Sequence, residues 1–207
     1  MMNATQLWWY TARSGGIVAW ALVSASVLWG LFLSTKALGR RVRPNWMLDL
    51  HRFLGGTAVV FTVLHVVSVI ADSYVHFGLA EALIPLASKW HPVAVAWGIV
   101  AVYAMVAVEV TSLLRKRLSK RAWRLTHMLS FPLFAFSTIH ALSAGTDRSN
   151  PLMIGSAVVV TALVVGLSAR RILGASRPTP PRPTPPSPAP PRPAPPRLEP
   201  LTIGSRQ

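Results

Sequence analysis

Residues 50–70 read LHRFLGGTAVVFTVLHVVSVI, and residues 125–144 read LTHMLSFPLFAFSTIHALSA. Each stretch is long and apolar enough to cross a bilayer, whose hydrocarbon core is about 30 Å thick. Each also carries two histidines, His51 with His65 and His127 with His140. Ionisable side chains at membrane depth are costly, so they are candidates for function. These two stretches therefore decide both the fold class and the candidate site.

The composition of the whole chain is that of a membrane protein. Its 207 residues are 52% hydrophobic and 13% charged, with a mean hydropathy of +0.44. A soluble domain has about 25% charged residues. The chain contains five segments of the length that a spanning helix needs: Ser14–Lys36, Leu50–Ile70, Pro92–Leu114, Leu125–Ala144 and Leu152–Leu173. We expect an all-α bundle of five transmembrane helices.

Positive charge is concentrated on one side of the predicted membrane. The net charge is +15, and most cations follow the first, third and fifth spans: Lys36, Arg40, Arg41, Arg43; Arg115, Lys116, Arg117, Lys120, Arg121, Arg124; Arg170, Arg171, Arg177. The other side has only Arg13, Lys89 and Arg148, beside Asp72, Glu81 and Asp147. This positive-inside distribution predicts an outer amino terminus, a cytoplasmic carboxyl terminus and contact with anionic lipid, with no nucleic-acid partner.

The predicted topology pairs the histidines by depth. Spans two and four run in the same direction, so His51 and His127 lie near the cytoplasmic end and His65 and His140 nearer the outer end. The two histidines on each span are separated by roughly 20 Å along the helix. Two helices that offer two imidazoles at matching depths can hold two flat metal cofactors, and a pair of haems is the obvious candidate. Any single membrane histidine can also simply hydrogen-bond to a neighbouring helix.

Helical phase agrees with this arrangement on one span only. The 14 residues from His51 to His65 bring the two side chains within about 40° of each other, whereas the 13 residues from His127 to His140 leave about 140°. Pro132 lies between the latter two, and an interior proline kinks a helix. Local rewinding at Pro132 is the expected remedy. His76 and His91 flank the outer loop, and we interpret them as loop or capping residues, with His91 just before a helix start at Pro92.

The chain has no cysteine. Disulfides, thiolate ligands, iron–sulfur clusters and covalent c-type haem are thereby excluded. A haem here has to be non-covalent and held by nitrogen ligands.

The segments DLHRFLGGTAVVFTVLHVVSV and AWRLTHMLSFPLFAFSTIHALSAGTD resemble the ferric-reductase-like transmembrane domain. That family includes ferric reductases and NADPH oxidases, and it binds two b-type haems through paired histidines on two helices. The resemblance covers about residues 14–173. It implies that His51 and His127 bind the inner haem iron and that His65 and His140 bind the outer one.

The long members of that family continue into cytoplasmic flavin and nicotinamide domains, and nothing after Leu173 could form them. Residues from about 177 to 200 hold 13 of the 18 prolines, a composition typical of an extended, disordered tail. We therefore divide the chain into an extracytoplasmic segment 1–13, a haem-binding domain 14–174 and a cytoplasmic Pro-rich tail 175–207.

Three functions remain open on the sequence. The leading one is transmembrane electron transfer through two haems b, as an oxidoreductase component that needs a separate donor protein or quinol. The second is a single-haem membrane subunit that delivers electrons to a separate periplasmic reductase. The third is a non-redox membrane scaffold whose prolines recruit partners.

Four charged residues are secondary candidates. Arg52 and Arg124, at the depth of the inner pair, and Arg148 outside, are expected to neutralise haem propionates or to extend towards lipid head groups. Glu109, near the inner end of span three, is expected to form a salt bridge with the adjacent basic loop, with proton handling as the alternative.

Overall fold

The computed structural model describes residues 4–35, 37, 44–72 and 77–175, and within those ranges it contains helices and no strand. The helices are α1 (Ala4–Thr35), α2 (Pro44–Ala71), α3 (Leu79–Leu83), α4 (Pro92–Leu113), α5 (Lys120–His127), α6 (Ser130–Ser143) and α7 (Pro151–Ala175). Five segments of them are long and apolar enough to cross a membrane, α5 and α6 together forming the fourth. The all-α fold with five such segments is confirmed. Helix α7 extends one residue into the predicted Pro-rich tail, to Ala175, and the rest of that tail lies outside the described residues.

Helix starts follow local sequence signals. The helices α2, α4 and α7 each begin at a proline, whose fixed φ suits the first helical position and whose missing N–H is not needed there. Ser119 caps α5, because its Oγ accepts a hydrogen bond from the Ala122 amide at 3.1 Å. His91 precedes α4 as its cap with a left-handed φ of 40°, which confirms its predicted place at the helix start.

The first helix is longer than its apolar run. It begins at Ala4 rather than at Ser14, so residues 4–13 of the predicted extracytoplasmic segment are helical. The hydroxyls of Thr11 and Ser14 donate to the carbonyls of Leu7 and Tyr10 at 2.8 and 2.7 Å. Such bonds satisfy polar side chains inside a helix, which explains why hydropathy alone places the start too late.

The fourth span is interrupted between its two histidines. Helix α5 ends at His127 and α6 begins at Ser130. Pro132 has no N–H to give to the Met128 carbonyl four residues earlier, and that carbonyl accepts instead from Phe131 at 3.2 Å. The Leu129 amide likewise bonds the Thr126 carbonyl at 3.0 Å. These tighter, three-residue bonds supply the rewinding that the phase of His127 and His140 requires.

The spans pack as two main pairs around a shared core. Helix α1 lies along α2, and α4 lies along α6, while α1 also contacts α6 and α7. The core consists of small and medium apolar side chains from α1, α2, α4, α6 and α7: Val23, Val27, Leu31, Ala58, Ala101, Met105, Leu133, Phe134 and Val164.

Large apolar side chains also cover the outside of the bundle. On α2 they include Val60, Val63 and Val67, and on α7 Val158, Val159 and Val165, all of them exposed. A soluble protein does not expose apolar patches of this extent. These helices present the surface that a lipid environment requires.

One buried polar contact joins the two halves of the bundle. The indole Nε1 of Trp20 on α1 donates to Thr138 Oγ1 on α6 at 3.0 Å. Thr138 Oγ1 in turn donates to the Phe134 carbonyl at 2.8 Å. Both side chains are 7–9% exposed, so the indole N–H has no solvent to replace its partner.

We predict that Trp20→Phe destabilises the bundle by about 1 kcal/mol, because one buried hydrogen bond is lost. Unfolding by dodecyl sulfate in mixed micelles measures the change. Trp46→Phe, at a position that is 55% exposed, is the matched control and should be neutral. A double variant with Thr138→Val that costs the full sum of the two single changes would show that the bond contributes nothing.

Candidate functional site

The four membrane histidines lie in two facing pairs. The ring centres of His51 and His127 are 6.0 Å apart, and those of His65 and His140 are 6.3 Å apart. In both pairs the rings are nearly perpendicular, at 75° and 74°. The first histidine of α2 therefore faces the first histidine of the fourth span, and the second histidine of α2 faces the second. The structure thus brings together the same pairs that the predicted parallel spans bring together.

Three of the four imidazoles are held by a backbone carbonyl. The Nδ1 atom of His65 lies 2.7 Å from the Ala12 carbonyl oxygen, and that of His140 lies 2.8 Å from the Ala94 oxygen. His51 Nδ1 lies 3.1 Å from the Ser26 carbonyl oxygen. A carbonyl can only accept, so Nδ1 carries the proton in each ring. Nε2 then keeps its lone pair free, as a metal-binding imidazole requires.

Each of these carbonyls belongs to the same small motif. A glycine follows the carbonyl residue by four positions in every case: Gly16 after Ala12, Gly30 after Ser26 and Gly98 after Ala94. A Cβ atom on these glycines would lie 2.9, 3.3 and 2.8 Å from the respective imidazole. The absence of a side chain therefore lets each ring approach the helix backbone closely enough to reach the carbonyl.

His127 is held differently. Its Nδ1 is buried and has no hydrogen-bond partner among the described residues. The ring instead stacks on Trp123, with centres 5.0 Å apart and planes at 21°. The guanidinium of Arg115 lies over the other ring system of this stack, 4.5 Å from the centre of Trp123. The Arg115 guanidinium, the Trp123 indole and the His127 imidazole thus connect the inner pair, His51 and His127, to the basic loop between α4 and α5.

The outer pair opens into a cavity of roughly 370 Å³. Its walls include His65, His140, Gly16, Gly98, Trp20 and Met105, and it is lined mainly by apolar side chains. A cavity of this kind, with a few convergent polar groups, is the usual form of a cofactor site.

An ion pair stands at the rim of this cavity. The Arg13 guanidinium donates to both Asp147 carboxylate oxygens, at 2.8 and 2.5 Å, and so joins α1 to the loop after α6. This bidentate hydrogen bond lowers the pKa of Asp147. Both residues also line the cavity, so the pair ties two of its walls together.

The remaining predicted residues lie around the two pairs. Arg52 is exposed and contacts Asp49 at 3.5 Å, and Arg124 and Arg148 are exposed as well. Their predicted interaction with propionates stays a prediction. His76 lies outside the described residues.

The predicted salt bridge of Glu109 with the basic loop is wrong. Within the described part of the chain Glu109 forms no ion pair. Its carboxylate is half-buried and points to α2, where a Cβ on Gly55 would lie 2.8 Å from Glu109 Oε1. Arg115, the first cation of the loop after α4, lies over the Trp123 ring.

A family model described as a domain of unknown function (DUF8596) matches residues 7–147. The chain belongs to this family. The matched region contains all four paired histidines, their three glycines and both members of the Arg13–Asp147 ion pair, and it ends before α7. No curated protein and no solved structure matches the chain.

Sequence reasoning found the histidines but missed the backbone sites that hold them. The signal was present, because Gly16 and Gly30 are separated by 14 residues, the same interval as His51 and His65. On antiparallel neighbouring helices, equal intervals place each glycine opposite one histidine. The stacking of Trp123 on His127 also had a signal, since residues four apart on a helix are neighbours.

We predict that Gly98→Ala displaces the His140 ring and costs about 1–3 kcal/mol, because a methyl group cannot fit against the imidazole without backbone movement. Gly155→Ala on α7 is the matched control, since a Cβ there meets nothing within 4 Å. Dodecyl sulfate unfolding gives the stability, and the ¹⁵N shift of His140 Nδ1 reports its hydrogen bond. Equal behaviour of the two variants would contradict the role assigned to Gly98.

Proposed function

We propose that this chain is a membrane electron-transfer protein of the ferric-reductase-like kind, which binds two b-type haems between α2 and the fourth span. One observation carries the proposal: two depth-separated pairs of facing imidazoles, three of them fixed at Nδ1 by a carbonyl. His51 and His127 would hold the inner haem, and His65 and His140 the outer one.

The protonation state of the outer pair favours a metal between the rings. Both Nδ1 atoms donate to carbonyls, so each neutral ring has only an acceptor left at Nε2. Two acceptors cannot hydrogen-bond to each other, so the two rings make no direct bond across the cavity. A metal ion that accepts both lone pairs would join them.

The ring separations fit one metal ion that would be held between the two imidazoles of each pair. With a metal–nitrogen bond of about 2 Å on each side, and the distance from each nitrogen to its ring centre added, two opposed imidazoles would have centres about 6 Å apart. The observed values are 6.0 and 6.3 Å. The described residues contain no cluster of three or more His, Asp or Glu that could hold a bare metal ion. A haem needs no such cluster, since the porphyrin itself supplies the other ligands.

The residues of the chain determine what such a site does. A haem held by both histidines of a pair would supply one-electron transfer rather than substrate binding, and two such groups at different depths would give a one-electron path across the membrane. Ala12, Ser26 and Ala94 orient the ligand rings and raise their basicity through Nδ1. The apolar walls formed by Trp20 and Met105 keep water from the outer site.

The electron donor is proposed to bind at the basic loop between α4 and α5. No acidic residue lies between Glu109 and Asp147, and six cations lie there. These charges attract an acidic partner, and the Arg115–Trp123–His127 stack lies between that surface and the inner pair. A soluble acidic donor or a membrane quinol would serve, with the loop in the cytoplasm and the amino terminus outside.

A single-haem function has one observation in its favour. Both rings of the outer pair are held by carbonyls and border a cavity, whereas in the inner pair only His51 is so held. A chain that bound haem at His65 and His140 alone would suit a membrane subunit that feeds a separate reductase.

We predict two low-spin haems b per chain. His51→Ala or His127→Ala should remove one redox step, and His65→Ala or His140→Ala the other, because each variant lacks one of the two imidazoles that would hold that haem. Pyridine haemochrome assays give the stoichiometry, and redox titration assigns the steps. His91→Ala, outside both pairs, should keep both haems.

The stoichiometry separates the alternatives. One haem per chain, retained in His51→Ala and lost in His65→Ala, would establish the single-haem function instead. No haem after expression with excess haem precursor would overturn the proposal. If His51→Ala and His65→Ala abolish the same step, the pairing by depth is wrong.

We also predict that reduction by an acidic one-electron flavoprotein such as flavodoxin slows with rising salt. Charge reversal at Lys116 and Lys120 should lower the rate about tenfold or more, since steering by surface charge contributes factors of this size. Lys89→Glu, an exposed cation on the predicted outer side, is the control. Stopped-flow absorbance in zwitterionic nanodiscs measures the rate, and a salt-independent rate would exclude the loop as the docking surface.

A further inference from the structure

Glu109 has no counter-charge in the part of the chain that the structure describes. It lies on α4 within the candidate span Pro92–Leu113, is half-buried, and makes no hydrogen bond or ion pair there. Arg52 contacts Asp49, and Arg115 contacts Trp123. An ionised carboxylate at membrane depth is costly, and such residues mark proton or ion pathways in membrane proteins.

The surroundings of Glu109 connect it to the inner histidine pair. Its carboxylate oxygen Oε1 packs against Gly55, one helical turn after His51 on α2. The Cβ position of Gly55 that lies 2.8 Å from Oε1 also lies 3.8 Å from Ser26 Oγ. Ser26 Oγ is 3.4 Å from His51 Nδ1, and the Ser26 carbonyl accepts from that same nitrogen. Glu109 therefore borders a polar strip that ends at an inner-pair imidazole.

Gly55 makes this approach possible. Any side chain there would meet the carboxylate, whereas Gly56 next to it has nothing within 4 Å of its Cβ position. The glycine thus leaves the space in which the carboxylate lies against α2, and a methyl group there would make the carboxylate shift. Because no cation among the described residues is paired with this carboxylate, we expect it to be ionised only part of the time.

We propose that Glu109 is a proton-binding residue whose protonation follows the oxidation state of the inner haem. The inference rests on the proposed function. With the inner iron oxidised, the haem core is positive and the Glu109 carboxylate is ionised. If a haem held there accepted one electron from the one-electron donor, its charge would fall by one. The Glu109 carboxylate would then take one proton from the buffered aqueous phase at the basic end of the bundle and become a carboxylic acid, so the net charge within the membrane would be unchanged.

The other charged and titratable groups on the elements packed against α4 do not replace Glu109 in this role. The acids among them are Asp49, which is paired with Arg52, and Glu81 of α3, which bonds the Gly78 amide. The others are imidazoles or permanent cations: His51, Arg52, His65, His127, His140, Lys120, Arg121 and Arg124. Among these carboxylates within the described bundle, Glu109 is the one that forms no ion pair or hydrogen bond.

Redox titration of the haem-loaded protein between pH 5.5 and 8.5 tests the proposal. In the wild type the inner step should take up close to one proton per electron, a tenfold change in the reduction equilibrium constant per pH unit. In Glu109→Gln this pH dependence should vanish while both haems are retained and the outer step is unchanged. Glu81→Gln is the matched control and should behave as the wild type. Glu109→Asp should keep the pH dependence.

Infrared difference spectra provide a second readout. Reduction should produce a protonated carboxyl band that is absent in Glu109→Gln. Two bound haems with a pH-independent inner step, or a pH dependence that survives in Glu109→Gln, would refute this inference and leave the proposed function standing. A chain without haem would refute both.

Discussion

The hydrogen bond from an imidazole Nδ1 to a helix carbonyl is the constraint on which the bundle depends. Such a carbonyl already accepts the amide of the residue four positions later, so it can take a second donor only where the helix surface is bare. Glycine at that later position provides the bare surface at Gly16, Gly30 and Gly98. The same contact fixes the tautomer of the ring and the distance between the helices. Packing and site geometry therefore arise from one interaction.

Much of this organisation could be predicted from the sequence. Hydropathy gives the five spans, and spans two and four are parallel because consecutive spans alternate in direction. Together they pair His51 with His127 and His65 with His140. The prediction succeeds because membrane depth depends on position along a helix, and helical rise is nearly constant.

The failures concern features that depth does not determine. The early start of α1 depends on hydroxyls of Thr11 and Ser14 that bond back to the helix. The environment of Glu109 depends on which helix face meets Gly55, and charge counting pointed instead to the adjacent loop. In each case a specific side-chain contact, within one helix or between two, determines the structure. Local composition does not reveal that contact.

Because the helix is interrupted at Met128 and Leu129, the sequence spacing of His127 and His140 does not by itself determine the directions in which their side chains point. On an unbroken helix a change of one residue rotates a side chain by about 100°, so spacing and orientation are locked together. Here His127 ends one helix and His140 sits on the next, and the two pairs still reach nearly equal ring separations and angles. The fourth span thus consists of two short helices, α5 and α6, joined at Met128 and Leu129. Each helix can orient its histidine towards its own partner on α2 independently of the other.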